Sequence, residues 1–293
     1  MSMEEVYKKL LFQLSSIYNN REAGNIANIV MEHVTGNNKT DRIIHKTVAL
    51  TNEQLLSIEI FTQQLLLHTP LQYVLNEAWF AGIKFFVNEN VLIPRPETEE
   101  LVEWIYTDVQ QNSNAASNKL KVLEIGAGSG CIPIALYKKM KESFITSLDV
   151  SEAALDVARK NALTNDAEIN FIQFDFLEEA QWKTLPVFDL IVSNPPYIKT
   201  SESSMMHQNV LDFEPHLALF VPDNDALLFY RKIALFGKDH LQKNGSVYVE
   251  INEALGNDTA DLFISNNYTV ELKKDLQGKD RMLKAIKKFD RFR

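Results

Sequence analysis

The sequence predicts an α/β fold, a parallel sheet with helices on both faces, preceded by a small helical N-terminal domain and a β-hairpin linker. From about residue 121 onward, apolar runs of strand length alternate with helical segments, which is typical of such a sheet. Residues 3 to about 75 instead show helical periodicity and lack glycine-rich loops. Between the two parts, loosely alternating apolar residues indicate short strands.

These patterns divide the chain into three segments. Residues 1–77 are predicted to form the helical domain. Because this domain carries no chemical motif, its expected role is substrate recognition, with a stabilising appendage as the alternative. Residues 78–95 are the predicted hairpin linker, with its turn expected at Asn88-Glu89-Asn90. Residues 96–293 form the α/β domain, and the total length is comfortable for two domains.

A tight glycine turn follows the first predicted strand of the α/β domain. The strand is Lys121 to Ile125, the turn is Gly126-Ala127-Gly128-Ser129-Gly130, and the next strand ends at Asp149. Glycines let the backbone approach a ligand, and the acidic residue can receive ribose hydroxyls. This arrangement fits NAD or S-adenosylmethionine (SAM). A dinucleotide turn expects G-x-G-x-x-G, and Cys131 does not continue that pattern, which favours SAM.

The fourth predicted strand, Asp189 to Ser193, ends abruptly at Asn194-Pro195-Pro196-Tyr197. Prolines cannot donate to a sheet ladder, so the strand stops at the edge where α/β sheets bind ligands. The Asn194 oxygen and the Pro195 carbonyl could hold both protons of a planar NH2 group, and Tyr197 could stack on that group. An NH2 group held in this way is an acceptor for the methyl group of SAM. The alternative is a strand-terminating turn in which Asn194 caps its own backbone.

Composition and charge argue against several classes of protein. The net charge of −9 speaks against a large non-specific nucleic-acid surface. The single cysteine, Cys131, cannot form an intramolecular disulfide and is interpreted as a small packed side chain. No apolar run reaches the roughly 18 residues that a membrane helix needs, and Met1 to Glu5 is acidic where a signal peptide is basic. We therefore expect a cytoplasmic protein without a metal site.

Several segments carry a resemblance to a known family. Glu124 to Gly130 resembles motif I of class I SAM-dependent methyltransferases, which have a Rossmann-like sheet. Asn194 to Tyr197 resembles their amino-group methylation motif, which N6-adenine and glutamine-N5 enzymes share. Further segments resemble the HemK family of release factor glutamine methyltransferases: Pro70 to Tyr73, Val91 to Glu99, Phe213 to Pro215 and Asp275 to Arg281.

The resemblance implies a reaction: methyl transfer from SAM to the side-chain amide N5 of the glutamine in the Gly-Gly-Gln motif of peptide chain release factors. By position, the residues implied to bind SAM are Gly126, Ala127, Gly128, Ser129, Gly130, Asp149, Phe176 and Asn194. Those implied to hold the glutamine are Asn194, Pro195, Pro196 and Tyr197, and of these Asn194, Pro195 and Tyr197 are implied to be catalytic. A release factor is then the partner, with no direct contact to nucleic acid or membrane, and a monomer is expected.

Three other functions stay open at this point: glutamine-N5 methylation of a ribosomal protein, N6-adenine methylation of a nucleic acid, and a SAM-binding regulatory module without turnover. Two positions depart from the family pattern, since Asn76 and Asn252 stand where the family usually has glycine.

The expected mechanism depends on positioning. An amide nitrogen is a poor nucleophile, and no strong base is evident beside Asn194, so catalysis is expected mainly from holding the reacting atoms in line, about 3–3.5 Å apart. His207 and His216 are candidate bases, with solvated loop histidines as the alternative. Glu124 is a candidate to orient SAM through water, with a structural role as the alternative.

Overall fold

The described part of the chain falls into two structural units. The computed structural model describes residues 1–112, 119–141 and 143–288. The first unit comprises residues 1–77 together with 207–213, and the second comprises residues 78–206 together with the chain from 214 onward. A segment from the middle of the α/β sequence is therefore a member of the N-terminal unit, which sequence reasoning did not predict.

The N-terminal unit is helical, as predicted. Its helices are α1 (Met3–Leu14), α2 (Asn20–Thr35), α3 (Lys39–Ile44), α4 (Asn52–Leu66) and α5 (Leu71–Leu75). Capping boxes begin two of them: Ser2 with Glu5 for α1, and Thr51 with Gln54 for α4. These side chains satisfy N–H groups that a helix start leaves unpaired. The helices pack through fully buried side chains such as Leu14, Val30 and Leu65.

A short β-hairpin opens the second unit. Strand β1 (Ala78–Phe80) pairs antiparallel with β2 (Ile83–Phe85), and Phe80 lies opposite Ile83. The turn is therefore at Ala81 and Gly82, which both have positive φ angles, of 50° and 74°. The predicted turn at Asn88 to Asn90 was wrong, because Gly82 supplies the left-handed backbone that a two-residue hairpin needs. Asn88 instead makes a local turn by accepting the N–H of Asn90 at 3.1 Å.

Within the described residues, the main sheet has seven strands in the order β10-β11-β9-β6-β3-β4-β5. The strands are β3 (Lys121–Ile125), β4 (Phe144–Asp149), β5 (Ile169–Gln173), β6 (Phe188–Ser193), β9 (Leu241–Glu250), β10 (Tyr268–Lys274) and β11 (Asp280–Lys287). All neighbours are parallel except β11, which runs antiparallel to β9 and β10. A separate parallel pair joins β7 (Ile198–Lys199) to β8 (Phe220–Val221).

The strand order creates a crevice between β3 and β6. The chain leaves β3 toward β4 on one side, whereas it leaves β6 toward β9 on the other. The carboxyl ends of two such neighbouring strands are where open α/β sheets bind ligands. The glycine turn follows β3 and Asn194 follows β6, so both predicted motifs stand at this crevice.

Helices cover both faces of the sheet, as predicted. They are α6 (Pro96–Asn112), α7 (Cys131–Lys139), α8 (Glu152–Thr164), α9 (Glu179–Trp182), α11 (Leu228–His240) and α12 (Gly256–Ser265), while α10 (Gln208–Phe213) belongs to the first unit. Alternate residues of β6 enter different apolar clusters: Ile191 packs with α11 and α12, whereas Leu190 and Val192 pack with α6 and α7. A strand buried on both sides explains the unbroken apolar run.

Some element ends differ from the sequence prediction. The polar stretch from Gln111 to Asn118 is typical of a surface loop, but α6 continues to Asn112, and residues 113–118 lie outside the described part of the chain. The sequence pattern predicts that Gly245 stops a helix, but α11 already ends at His240 and Gly245 lies within β9. A Cβ there would meet the Asp189 carbonyl oxygen at 2.9 Å, so glycine permits a close approach of two strands.

None of the described helices combines the length and the apolar character that crossing a bilayer requires.

Candidate active site

A pocket of about 280 Å³ opens at the crevice, at the carboxyl ends of β3, β4 and β6. Its walls come from the glycine turn, the end of β4, the segment 174–177 after β5, and the turn after β6. Parts of residues 90–98 and 215–218 complete the lining. The lining is mainly apolar with a few polar side chains, which is typical of a small-molecule site.

Positive φ angles favour glycine at all three glycine positions of the turn after β3. Gly126 and Gly128 have φ angles of 89° and 51°, and a Cβ at either position would meet open space. The backbone conformation, not crowding, therefore favours glycine there. The N–H groups of Gly126 and Ala127 both donate to the Leu148 carbonyl at 2.8 Å, which fixes the turn against β4. Gly130 has a φ angle of 78°, and a Cβ there would in addition lie 3.2 Å from Ala158, so both the backbone and the packing against α8 favour glycine.

Asp149 presents its carboxylate to the pocket from the end of β4. Its Oδ2 accepts the N–H of Gly128 at 2.9 Å, and its Oδ1 accepts the N–H of Ser151 at 2.9 Å. Burial raises the pKa of Asp149, while these backbone hydrogen bonds oppose the rise. A carboxylate oxygen has about two acceptor sites, so the group keeps capacity for ligand hydroxyls.

Unsatisfied polar atoms also face the pocket. Glu124 is 1% exposed, and its Oε2 accepts a hydrogen bond from Ser147. Among the described residues, Glu124 Oε1 and the hydroxyl of Ser129 have no hydrogen-bond partner. Burial raises the pKa of Glu124 well above its usual range, and the nearby charge of Asp149 adds to the rise. Buried polar atoms without partners cost about 1–3 kcal/mol each, so a ligand that bonds them is favoured.

Asn194 also lines the pocket, directly after β6. Its Nδ2 donates to the hydroxyl of Thr98 at 3.1 Å, and Thr98 donates to Glu250 Oε2 at 2.6 Å. The preceding residue, Ser193, donates its hydroxyl to the Ile125 carbonyl at 2.6 Å and so joins β6 to β3. The Asn194 side chain is thus held on a rigid strand end beside the glycine turn.

Tyr197 is not among the residues that line the pocket. Its hydroxyl donates to Glu250 Oε1 at 3.0 Å, and its ring packs against the apolar cluster beneath α11. Burial raises the pKa of Tyr197 above its usual range, and the charge of Glu250 adds to that effect. The stacking of this ring on a substrate stays a prediction.

Sequence reasoning gave no role to an ion pair at the pocket. Arg95 and Glu214 lie 2.6 Å apart, and Glu214 also accepts the N–H of Ile93 at 3.2 Å. The Glu214 side chain is 1% exposed, so this contact fastens residues 93–95 to the segment that begins at 214. Neighbours of both partners, Pro94 and Pro215, line the pocket. Both segments were recognised as motifs, but motifs far apart in sequence do not reveal that they pair.

The structure brings most of the predicted site residues to one pocket. Those that line it are Gly126, Ala127, Gly128, Ser129, Asp149, Phe176, Asn194, Pro195 and Pro196, whereas Gly130 and Tyr197 do not. Among the described lining residues there is no histidine: His207 is a member of the first unit, and the ring of His216 packs edge-on against Phe220.

Asn76 and Asn252, which stand where the family usually has glycine, both suit the backbone conformation at their positions. Asn76 ends α5 with a φ angle of 52°, a left-handed conformation that asparagine tolerates better than most residues. Asn252 has an ordinary φ angle of −64° and caps the next turn by accepting the N–H of Ala254 at 2.9 Å. Its Nδ2 also donates to the Tyr197 carbonyl at 3.4 Å, which supports the turn after β6.

Cys131 offers a chemical test of the pocket wall. Burial raises the pKa of its thiol to about 12. Since the thiolate is the reactive form, we expect alkylation by iodoacetamide at pH 8 to be much slower in the folded protein than in guanidinium chloride. A ligand in the pocket should slow it further, because Cys131 lines the wall. Equal rates in the folded and unfolded chain would contradict this placement.

Models of two protein families match the chain. The model described as "Methyltransferase small domain" matches residues 107–215, and the model described as "PrmC N-terminal domain" matches residues 5–75. Among solved structures, a methyltransferase from Pyrococcus furiosus is similar with a TM-score of 0.50 and 18% identity, covering 71% of this chain and 91% of that one. The second unit therefore has the class I methyltransferase fold with a mixed central sheet, and the predicted fold class is confirmed.

Curated relatives extend the match to nearly the whole chain. The release factor glutamine methyltransferase of Flavobacterium psychrophilum is 45% identical over 274 residues, which is 93% of this chain and 94% of that protein. The protein of the same name from Bacteroides thetaiotaomicron is 40% identical over 273 residues, with coverages of 93% and 95%. These relatives are similar to the chain over both the helical N-terminal unit and the methyltransferase unit. The chain therefore belongs to the release factor glutamine methyltransferase family.

Proposed function

We propose that the protein transfers a methyl group from SAM to the N5 amide nitrogen of the glutamine in the Gly-Gly-Gln motif of peptide chain release factors. One observation carries the proposal. The glycine turn with Asp149 and the turn with Asn194 and Pro195 line a single pocket at the crevice between β3 and β6. A methyl donor and a planar NH2 acceptor would therefore meet in one site, and the curated relatives carry the name of this reaction.

The residues at one side of the pocket fit SAM, which supplies an electrophilic methyl group on a sulfonium. The Asp149 carboxylate can accept hydrogen bonds from the ribose hydroxyls. The unpaired Glu124 Oε1 suits the ammonium of the methionine part, and the unpaired Ser129 hydroxyl can donate to its carboxylate. Phe176 lies in an aromatic cluster with Trp182 and Phe236, and it offers an apolar wall to the adenine.

The other side of the pocket fits a primary amide. The Asn194 oxygen and the Pro195 carbonyl can accept the two N–H groups of the glutamine side chain and so aim the nitrogen at the methyl group. The same oxygens stabilise the positive charge that grows on nitrogen during transfer. Position and electrostatics are therefore assigned the main part of catalysis.

A comparison of substrates tests this function. The protein is incubated with methyl-labelled SAM and, separately, with a bacterial release factor, a ribosomal protein mixture and DNA. We expect label in the release factor at a rate well above the other two. If label appears only in ribosomal protein or only in DNA, the proposed substrate is wrong and the labelled class is the substrate instead. Binding of SAM without transfer to any of them would favour a regulatory module.

We further propose that the N-terminal unit recognises the release factor outside the Gly-Gly-Gln loop. A short loop offers little contact area, whereas specific interfaces generally need more than about 1,000 Å² in total. The helices α1 and α4 present exposed apolar side chains, with Phe12 82%, Leu56 62% and Ile60 47% exposed. An ion pair between Lys9 and Glu59, at 3.3 Å, joins the two helices on this side. These residues form a candidate contact surface for a folded protein.

Substitution of Phe12 tests this surface. Burying a Phe side chain is worth about 1.5–3 kcal/mol, so Phe12→Ser should lower kcat/KM on the intact release factor by roughly tenfold or more. Activity on a Gly-Gly-Gln peptide should stay unchanged. Leu163→Ser is the matched control, since Leu163 is 83% exposed on α8 in the other unit. Equal losses on peptide and intact factor, or no loss on either, would leave α1 without a part in recognition.

A further inference from the structure

Glu250 is a buried carboxylate with two hydroxyl donors. It ends β9, beside β6, and is 1% exposed. Its Oε2 accepts from Thr98 at 2.6 Å and its Oε1 accepts from Tyr197 at 3.0 Å. Burial raises the pKa of Glu250, whereas these hydrogen bonds and the positive charge of Arg281 oppose the rise. In both contacts the hydroxyl is the donor and a carboxylate oxygen of Glu250 is the acceptor.

The direction of the Thr98 hydroxyl fixes its contact with Asn194. A hydroxyl carries one proton, and the proton of Thr98 is committed to Glu250. Toward Asn194, 3.1 Å away, the Thr98 oxygen can therefore only accept. The Asn194 side chain must then present its NH2 end to Thr98, which leaves its oxygen for the other direction. Without this partner, the oxygen and nitrogen ends of an amide are nearly interchangeable in shape.

We infer that Thr98 and Glu250 are positioning residues that turn the oxygen of the Asn194 amide toward the acceptor nitrogen; this rests on the proposed function. The reversed amide would place its NH2 against the NH2 of the substrate, so two donors would meet and the nitrogen would lose an acceptor. Tyr197 takes part as the second donor to Glu250, which keeps that carboxylate satisfied inside the fold.

The same chain of hydrogen bonds strengthens the acceptor. A carboxylate that accepts from Thr98 makes the Thr98 oxygen a better acceptor for the Asn194 NH2 group. That hydrogen bond in turn shifts electron density toward the Asn194 oxygen, since hydrogen bonds in a chain polarise one another. An oxygen with more negative charge stabilises the positive charge that develops on the substrate nitrogen. The pair therefore acts on the rate of transfer and not on the binding of SAM.

Replacement of the Thr98 hydroxyl tests the inference. In Thr98→Val, the shape is kept and the hydroxyl is lost, so the single-turnover rate on a release factor should fall by about tenfold, the effect of one net hydrogen bond. SAM affinity by calorimetry should stay at the wild-type value. Thr98→Ser, which keeps a hydroxyl, should stay within about threefold of wild type. Thr259→Val is the matched control, because the buried hydroxyl of Thr259 has no partner among the described residues.

A double-mutant cycle separates positioning from a general structural effect. If Thr98 acts through Asn194, Thr98→Val should cause no further loss in an Asn194→Ala background. A wild-type rate in Thr98→Val, an equal loss in both backgrounds, or failure of Thr98→Ser to restore the rate would each overturn the inference. If Thr98→Val does not fold, Thr98→Ala replaces it in the same comparisons. The activity of the wild-type protein on the release factor is measured first. If the wild type is inactive, both the proposed function and the inference are refuted. If the wild type is active and Thr98→Val is equally active, only the inference is refuted.

Discussion

Asn194→Ala should lower the single-turnover rate of methyl transfer by about 10²–10³, the usual cost of removing one preorganised polar group at a reacting centre. The substitution removes the oxygen that is proposed to hold the acceptor amide. SAM affinity should change little, because most of the proposed SAM contacts lie at the glycine turn and Asp149. The measurement is a single-turnover assay with labelled SAM and a release factor, beside a calorimetric titration of SAM.

A matched control makes this result specific. Asn170 is an exposed residue on the edge strand β5, so Asn170→Ala makes the same chemical change away from the pocket and should leave the rate unchanged. If Asn194→Ala keeps a rate within about threefold of wild type, positioning by Asn194 is wrong. If it loses SAM affinity in proportion to the rate, the side chain belongs to the cofactor part of the site instead.

Asp149→Asn should weaken SAM binding by roughly tenfold or more, because hydrogen bonds to a charged group contribute about 1.5–3 kcal/mol each. Asparagine keeps the shape and one oxygen acceptor, so it can keep one of the two backbone contacts, with Gly128 or Ser151, whereas alanine loses both. Calorimetry measures the affinity, and thermal unfolding without SAM checks that the fold is intact.

The control for Asp149 is Asp261→Asn, which removes a carboxylate from the exposed side of α12. It should bind SAM as the wild type does. An unchanged SAM affinity in Asp149→Asn would contradict the assignment of this residue to the ribose. A loss of affinity accompanied by an equal loss of stability would mean that Asp149 mainly fixes the glycine turn.

The fold and the two turns that line the pocket, after β3 and after β6, could be predicted because local sequence patterns determine them. An apolar run that stops at two prolines marks the end of β6, and alternate glycines mark the turn after β3. The strand order was not needed for this prediction, since the carboxyl ends of parallel strands meet at the same edge of a sheet. Asp149 follows by the same reasoning from the end of β4.

The contacts that hold these groups could not be predicted in the same way. Thr98 and Glu250 are 152 positions apart in sequence, and neither stands in a pattern that indicates a partner. Arg95 and Glu214 are 119 positions apart and meet for the same reason, that tertiary packing brings two loops together. The hairpin turn was misplaced because three polar residues at 88–90 gave a stronger apparent turn signal than the single Gly82.

Site mapping on a methylated release factor is the most direct test of the proposed reaction. The wild-type protein is incubated with SAM and a release factor, and the product is digested and analysed by tandem mass spectrometry. We expect one added methyl group on the side-chain amide of the glutamine in the Gly-Gly-Gln motif, and none when Asn194→Ala replaces the wild type for the same short time. A methyl group on another residue of the release factor would contradict the proposed reaction. So would a glutamine that stays unmodified although the same protein fully methylates a different class of substrate.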